Sequence, residues 1–432
     1  MLRSLSVRVA LALLAGLACG ALVQAFGGLG ARSVVEGFEA IGGLWLNALR
    51  MTVVPLIFAV LVTGIAGVAD AAATGRLAGK AVAWFLGLVL FGCAFTLAFH
   101  WGAYELWPVS ETGAAALRAG AQAPPAADTM VQQSLGDWIR GLAPANPIQA
   151  AAEDAIVPLV VFAAFLGFAI TRLPPARAAL MTEFFGSVAE AMIVIVRWVL
   201  WAAPVGVFAL ALGVGMRAGA GAAGVLAQYI VVVSLAMIGI TAVAYLLALL
   251  VGRVPPMRWA RAVAPVQVVA FSTQSSLACL PAMVERSRDD LHIPDRVTGV
   301  VLPLAVSVFK LTSAVANLGV AIFVAQVYGI EPTAVQWAGA VLVAIAASVS
   351  SVGLPGQVSF FASVGPICLA LGLPLELLPI LLAVEVIPDI FRTVGNVTGD
   401  MAVTAIVARG EPTEETEPLG RGSPEPELRA LH

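Results

Sequence analysis

Long apolar runs separated by short polar segments make up the chain from its N-terminus to Arg409. A helix needs about 20 predominantly apolar residues to cross the hydrocarbon core of a bilayer. Eight runs reach that length, so the pattern predicts eight membrane-spanning helices. They lie at about residues 7–26, 43–71, 80–107, 152–172, 186–214, 224–252, 297–328 and 377–409.

Two further apolar segments, residues 259–291 and 336–373, each hold two short arms around a break rich in Ser, Gly and Pro. The breaks are Ser275–Pro281 and Ser350–Gly356. Each arm is too short to cross a bilayer alone, which favours two re-entrant helical hairpins. Irregular backbone at membrane depth is tolerated where it lines a cavity, and a repeated pair of interrupted segments points to a transporter binding site. The alternative is two kinked helices whose Ser hydroxyls bond to their own backbone.

The eighth run carries a polar stripe that an apolar helix does not need. Asp389, Arg392, Asn396 and Asp400 recur at helical spacing, and Thr393 lies beside them. An ionised side chain at the bilayer centre costs about 2.5–3.5 kcal/mol or more. The stripe is therefore expected to face a protein interior, to find ionic partners, or to bind a ligand.

Composition excludes several classes of function. The chain is 60% hydrophobic and only 11% charged, whereas soluble domains carry about 25% charged residues. This predicts a polytopic membrane protein, with lipid as its surroundings. The net charge of −3 and the absence of a basic cluster give no sign of a nucleic-acid partner. The four cysteines lack C-x-x-C spacing and the three histidines are scattered, so neither a metal site nor an enzyme is favoured.

Basic residues predict the orientation, because cytoplasmic loops carry an excess of Lys and Arg. The first run lacks an A-x-A cleavage site and is interpreted as a retained span. Both termini are then expected to lie in the cytoplasm. The protein itself is expected in the inner (plasma) membrane of the cell. The segment 108–145 is expected to be an extracellular loop, and the acidic, Pro-rich tail from Gly410 to be disordered. The basic residues are Arg76, Lys80, Arg172, Arg177, Arg253, Arg258 and Arg261.

A small zwitterion with a second carboxylate would suit the polar groups of the hairpins and the eighth span. Hairpin tips offer backbone N–H groups and hydroxyls to an α-carboxylate, as Ser275, Ser276 and the backbone of 353–356 could do. Asp389 could take the ammonium group. Arg392 could hold the distal carboxylate through two parallel N–H donors.

Two alternatives stay open for these charges. Asp389 and Arg392 lie one turn apart, so they either pair when empty and separate onto substrate or form a permanent bridge. Glu385, one turn before Asp389, is either a proton carrier or faces the polar outer end of the helix.

These residues resemble the glutamate transporter family, the dicarboxylate/amino acid:cation symporters. The similarity covers the first span to Arg409, and its most specific part is D-x-x-R-T-x-x-N-V-T-G-D from Asp389 to Asp400. The serine-rich first hairpin tip, the P-A-N-P at 144–147 and the A-P-V-G-V-F-A-L at 203–210 also resemble the family. The second hairpin matches through Gly353, Leu354, Pro355 and Gly356.

The resemblance implies an all-α membrane protein with eight transmembrane helices, two re-entrant hairpins and inverted repeats. It implies a homotrimer whose protomers work by an elevator mechanism. Residues 1–79 and 108–223 would form the scaffold, and residues 80–107 and 224–409 the transport domain. The tail, 410–432, would be a disordered cytoplasmic segment.

The resemblance also assigns roles in substrate binding. Asp389 would bind the amino group and Arg392 the side-chain carboxylate, while Thr393 and Asn396 complete the pocket and the second hairpin acts as its gate. Ser313 matches the family's pocket threonine. Relatives for neutral amino acids usually lack the Arg, and C4-dicarboxylate relatives typically lack the acid at position 389. The presence of both Asp389 and Arg392 therefore favours aspartate or glutamate as the substrate.

The seventh span departs from the family. Where sodium-coupled members carry N-M-D-G-T, this chain has Phe309, Lys310, Leu311, Thr312 and Ser313. Sodium needs oxygen ligands, and an ammonium about 4 Å away repels it by about 4 kcal/mol at an effective dielectric constant of 20. No sodium and no cofactor are therefore expected, although proton coupling is possible.

We hypothesise that Lys310 substitutes for a sodium ion. Its ammonium would reach Asp400, a sodium ligand in the sodium-dependent relatives, and carbonyl groups of the broken helix. Lys310 could otherwise extend to a membrane interface, or titrate and carry a coupled proton.

The leading functional prediction is a sodium-independent secondary transporter for aspartate or glutamate. A proton-coupled C4-dicarboxylate transporter is the nearest rival. An anion channel and a substrate sensor that does not transport are rivals from other classes.

Overall fold

The computed structural model describes residues 5–26, 29–73, 75–121, 139–218, 221–350, 356–409 and 411. Within those ranges the chain folds into helices, without a β-strand. Their bounds are α1 Leu5–Phe26, α2 Leu29–Ala73, α3 Arg76–Leu106, α4 Glu111–Ala121, α5 Pro147–Ala152, α6 Ile156–Ile170, α7 Pro175–Trp201, α8 Ala203–Ala218, α9 Gly221–Leu250, α10 Pro256–Thr273, α11 Ser276–Asp289, α12 Asp295–Val308, α13 Leu311–Tyr328, α14 Ala334–Ser350, α15 Gly356–Ala370, α16 Leu378–Val384 and α17 Val386–Ala408.

Several of these helices have the length and composition of membrane spans. Among the described residues, five long apolar segments could cross a bilayer, the last of them made up of α12 and α13: Ser33–Gly67, Arg76–Leu106, Pro175–Trp201, Ala223–Leu250 and Asp295–Tyr328. Shorter apolar helices accompany them, among them α6 and α8. The chain is accordingly a multi-pass membrane protein. The count of eight spans stays a prediction.

One group of helices packs around α2. This long helix contacts α6, α7 and α8, and α1 lies along α8. The α1–α8 contact is close because glycines lie in it: a Cβ added at Gly20 would collide with the backbone of Leu212 and Met216. A Cβ added at Gly215 would collide with the backbone of Leu17. Small residues let helix backbones approach in this way.

A second group of helices packs around α17, the helix that carries the polar stripe. The elements in contact with it are α3, α9, α10, α11, α12, α13 and the short preceding helix α16. Most of the buried polar side chains of the described residues lie in this second group. The stripe is thus surrounded by protein, as its charges require. The proposed division into scaffold and transport domains stays a prediction.

The single span expected at 186–214 is wrong, because the structure has two helices there. Helix α7 ends at Trp201, and α8 begins at Ala203. Pro204 follows immediately, and a proline has no N–H to donate to the carbonyl group one turn earlier. The segment 108–145 is also not a loop throughout, since α4 packs there against α8 and α9 with Leu117 fully buried.

The break of the first hairpin was predicted at Ser275–Pro281, but in the structure it lies earlier along the chain. Helix α10 ends at Thr273, and Gln274 adopts a left-handed conformation with φ of 50°. Ser275 then caps α11, its Oγ accepting the amide N–H of Ala278 at 3.4 Å. The residues up to Pro281 are helical, so a short capped turn forms the break.

The second hairpin and the seventh span follow the prediction more closely. Helices α14 and α15 flank residues 351–355, which lie outside the described residues. The predicted break in the seventh span is confirmed: α12 ends at Val308, Phe309 is extended, and α13 begins at Leu311.

Gly20→Ala should lower the thermal stability of the purified protein, because the added methyl group would separate α1 from α8. Overpacking of this kind costs about 1–3 kcal/mol. The matched control is Gly37→Ala, where an added Cβ meets nothing within 4 Å. Equal melting temperatures for the two variants would contradict the close α1–α8 contact.

Candidate functional site

The polar stripe of α17 forms the centre of the candidate site. Its members Asp389, Arg392, Thr393, Asn396 and Asp400 are all buried. The expectation that they face a protein interior is therefore confirmed. Thr393 bonds within the helix, its Oγ1 donating to the Asp389 carbonyl group at 3.0 Å.

Glu385 belongs to the same face, two turns before Arg392. It lies between α16 and α17, and the amide N–H of Asp389 donates to its carbonyl group at 2.9 Å. The helical path therefore continues almost unbroken through Glu385. Pro388 accounts for the interruption, because it cannot donate an N–H to Val384. Glu385, Asp389 and Arg392 are consequently stacked one above another.

Arg392 is held chiefly by Glu385. Its Nη2 donates to Glu385 Oε1, whereas its Nη1 lies 3.8 Å from Asp389 Oδ1. The closer partner is thus Glu385, and the expected Asp389–Arg392 pair is only the more distant of the two. Glu385 is 0% exposed, so the interpretation that it faces the polar outer end of the helix is wrong.

Tyr229 of α9 completes this cluster and was not predicted. Its hydroxyl group donates to Glu385 Oε2 at 2.6 Å, and its ring packs against Phe323 with 5.0 Å between the centroids. The sequence held a weak signal, since the adjacent pair Gln228–Tyr229 interrupts an otherwise apolar span. No spacing rule connects that pair with Glu385, 156 residues later.

Asn396 joins α17 to the start of α13. Its Oδ1 accepts the amide N–H of Thr312 at 3.0 Å, and its Nδ2 donates to Ser313 Oγ at 3.1 Å. Thr312 Oγ1 lies 2.8 Å from the same Oδ1 and 2.5 Å from the Arg392 carbonyl oxygen. The carboxamide thus caps a helix whose first N–H groups lack intrahelical partners. The predicted pocket residues Asn396 and Ser313 are in direct contact.

Lys310 lies in the break of the seventh span and is 3% exposed. Its Nζ donates to the Val306 carbonyl group at 2.6 Å, which confirms the predicted contact with a carbonyl of the broken helix. Because the Lys310 side chain is buried, the alternative in which it extends to a membrane interface is wrong. Ser348 of α14 donates to the Lys310 carbonyl group at 2.9 Å and so connects the second hairpin to the break.

Asp400 is fully buried near Lys310, and the two charges interact electrostatically. Neither carboxylate oxygen of Asp400 has a hydrogen-bond partner among the described residues. The direct contact expected between the Lys310 ammonium and Asp400 is therefore not formed in this structure, because the ammonium is turned to the Val306 carbonyl group. A buried carboxylate without a hydrogen bond is costly, so Asp400 stays a candidate functional residue.

Apolar groups occupy the neighbouring positions of the break. Phe309 stacks on Phe85 of α3, with 4.5 Å between ring centroids and 15° between planes. Leu311 and Phe309 would both contact a Cβ added at Gly399. The side chains on either side of Lys310 thus pack against α3 and α17. Among the described residues, no three His, Cys, Asp or Glu side chains converge as a metal site.

The hairpin residues are only partly placed. Ser275 caps α11, and Ser276 is buried at its first turn. Gln274, which was not predicted, donates from Nε2 to the Val386 carbonyl group at 3.3 Å and ties the first hairpin to α17. Gly353, Leu354 and Pro355 lie outside the described residues, and Gly356 is the first residue of α15.

Comparison with known proteins finds similarity to amino acid and dicarboxylate symporters along nearly the whole chain. Residues 5–410 match the model of the sodium:dicarboxylate symporter family. The proton/glutamate-aspartate symporter of Escherichia coli is 28% identical over 390 residues, 88% of this chain and 86% of that protein. Human neutral amino acid transporter A is 31% identical over 83% of this chain and 73% of its own length. The proton/sodium-glutamate symport protein of Bacillus subtilis is 26% identical, covering 86% of each chain.

Asn396→Ala should destabilise the protein, because it leaves the Thr312 N–H and the Ser313 hydroxyl without a partner. An unsatisfied buried donor costs about 1–3 kcal/mol. Asn317→Ala is the matched control, since Asn317 is equally buried but its Oδ1 has no partner among the described residues. Thermal unfolding of both variants in detergent measures the difference. A larger loss for Asn317→Ala would contradict the capping role of Asn396.

Proposed function

The chain belongs to the sodium:dicarboxylate symporter family, and on that premise we propose that it is a sodium-independent secondary transporter of acidic amino acids. The family consists of transporters and not of enzymes. The observation that carries the proposal is the buried pair of opposite charges on α17, with Asp389 one turn from Arg392.

The substrate class follows from the charges that the site offers to a ligand. A neutral amino acid would supply no side-chain carboxylate for Arg392, and a C4-dicarboxylate would supply no ammonium for Asp389. Charge-assisted hydrogen bonds to both groups are stronger than neutral ones. Aspartate or glutamate supplies both groups. The names of the relatives from Escherichia coli and Bacillus subtilis include glutamate, which supports the same choice.

Lys310 carries the second half of the proposal. Its amino group lies in the break of the seventh span, where Lys310 is 3% exposed, and by the resemblance this is the segment in which sodium-coupled members would hold the ion. Phe309 and Leu311 provide no oxygen ligand, and sodium prefers oxygen. We assign the Lys310 ammonium as the counter-charge of Asp400, whose two oxygens lack hydrogen bonds among the described residues. The static charge would then replace a bound cation.

The movement is proposed by analogy with the family. The helices packed around α17 would form a transport domain that slides as an elevator against a scaffold built around α2. The second hairpin would be the gate, since its arm α14 contacts the break at Lys310. We further propose a homotrimer in the inner (plasma) membrane with both termini in the cytoplasm.

Proteoliposomes that contain the purified protein should take up labelled L-aspartate when choline replaces all sodium. Arg392→Ala should lower that uptake by at least about tenfold, because removing one partner of a buried ion pair costs about 3–5 kcal/mol. Unlabelled glutamate should compete and succinate should not. Strict sodium dependence would contradict the cation assignment, and competition by succinate alone would favour a dicarboxylate transporter.

Lys310→Met should abolish sodium-free uptake of L-aspartate, since Asp400 would lose its only assigned counter-charge. The matched control is Lys80→Met, because Lys80 is a partly exposed lysine of α3 whose Nζ bonds to the Val407 carbonyl group and not to the break. Uptake assays on equal amounts of folded protein compare the two variants. Unchanged transport by Lys310→Met would exclude a role for its ammonium.

A further inference from the structure

We propose that Glu385 is the proton-binding residue of the transport cycle and that it takes up one proton for each acidic substrate bound at Arg392. The inference rests on the proposed function, because it requires an acidic substrate in this site. It adds the coupling ion and the residue that carries it.

The contacts of Glu385 leave it dependent on one cation. Its two carboxylate oxygens accept hydrogen bonds from Arg392 and Tyr229, and its side chain is fully buried. Among the described residues, the titratable groups that act on it are Arg392 and Asp389 of α17 and Tyr229 of α9. Tyr104 of α3 in turn interacts with Tyr229. Arg392 is thus the single positive charge among the described residues that stabilises ionised Glu385.

A substrate carboxylate competes for that same cation. Arg392 Nε is buried and has no hydrogen-bond partner among the described residues, so it offers a donor to an incoming carboxylate. Bidentate binding uses two N–H groups of one guanidinium. The substrate carboxylate and Glu385 then share Arg392, and two carboxylates on one cation in a buried site favour the uptake of a proton.

Formal charge leads to the same conclusion. The empty cluster of Glu385, Asp389 and Arg392 contains two carboxylates and one guanidinium, a net charge of −1 when all three are ionised. An acidic amino acid brings a further −1 into an interior where uncompensated charge is expensive. One proton restores the original charge. Asp389 has to stay ionised to bind the substrate ammonium, which leaves Glu385 as the acceptor.

Tyr229 suits both protonation states of Glu385. A phenol hydroxyl both donates and accepts hydrogen bonds. It donates to the ionised carboxylate at 2.6 Å in this structure, and it can accept from the protonated carboxyl group. Glu385 therefore keeps a polar partner after Arg392 has turned to the substrate. This is what a reversible proton site inside a membrane protein requires.

The nearest polar residues towards an open cleft belong to α3. Tyr104, His100 and Glu105 line a cleft of about 1010 Å³ between α3, α13 and α14. The Tyr104 hydroxyl is buried and has no hydrogen-bond partner among the described residues. No hydrogen bond joins Tyr104 to Tyr229 in the described part of the chain, so the proposal rests on the contacts of Glu385 itself.

The proposal makes the whole cycle electroneutral. One proton and one anionic amino acid move together, and the site has the same net charge when it is loaded and when it is empty. Uptake into proteoliposomes should therefore respond to a pH gradient and not to a membrane potential.

The decisive experiment counts protons during substrate binding. L-aspartate is titrated into the purified full-length protein, without sodium, in two buffers that differ in ionisation enthalpy. Wild-type protein should take up about one proton per aspartate, and its affinity should fall about tenfold per pH unit on the alkaline side. Glu385→Gln should bind aspartate with no proton uptake. Glu376→Gln, which removes a carboxylate paired with Arg50 at 2.8 Å, should behave as wild type.

The outcomes separate this inference from the proposed function. Absence of aspartate binding by the wild-type protein at every pH contradicts the proposed function itself. Binding without proton uptake contradicts only the assignment of Glu385, as does a Glu385→Gln variant that still takes up a proton. In the latter case the proton would belong to Lys310 or Asp400.

Tyr229→Phe decides the question if Glu385→Gln does not fold. The variant retains the carboxyl group but removes the hydroxyl donor, which bonds more strongly to the charged form than to the neutral one. Protonation of Glu385 becomes easier, so the midpoint of the pH-dependent affinity should move to higher pH. A midpoint that stays in place would overturn the assignment.

Discussion

Charge buried in a membrane interior has to be matched inside the protein, and the packing around α17 follows from that constraint. Arg392 is matched by Glu385, which also accepts a hydrogen bond from Tyr229, and the Thr312 backbone is matched by Asn396. These partners come from α9, α13 and the junction of α16 with α17. The helix packing that brings these partners into contact also brings the candidate substrate-binding residues together. The fold and the site therefore share one set of interactions.

Much of the architecture was predictable from the sequence because it depends on local patterns. The apolar runs predicted helices, and the polar stripe from Asp389 to Asp400 predicted a buried face. The break at Phe309 and Lys310 followed from the resemblance to a family with a broken seventh span. The division between α7 and α8 was missed, since an apolar run conceals the effect of Pro204 on backbone hydrogen bonds.

Pairings between distant residues could not be predicted in this way. Tyr229 and Glu385 are 156 residues apart, and only the packing of α9 on α17 brings them together. The sequence also favoured Asp389 as the partner of Arg392, because the two are one turn apart. The structure prefers Glu385, two turns away, since a long Arg side chain reaches along a helix face. Helical spacing identifies the residues that share a face but not the ones that bond.

The hydrogen bond from Ser348 to the Lys310 carbonyl group connects the second hairpin directly to the break of the seventh span. The donor belongs to the second hairpin, and the acceptor is the backbone of the residue that carries the buried ammonium. Any movement of α14 that breaks this bond changes the free energy of the Lys310 backbone, and thermodynamic linkage makes the effect reciprocal. In the proposed function, where α14 belongs to the gate and the Lys310 ammonium replaces a bound cation, this coupling would set an energetic threshold for opening. A covalently attached cation does not leave the site, so that threshold would not depend on the salt composition of the surroundings.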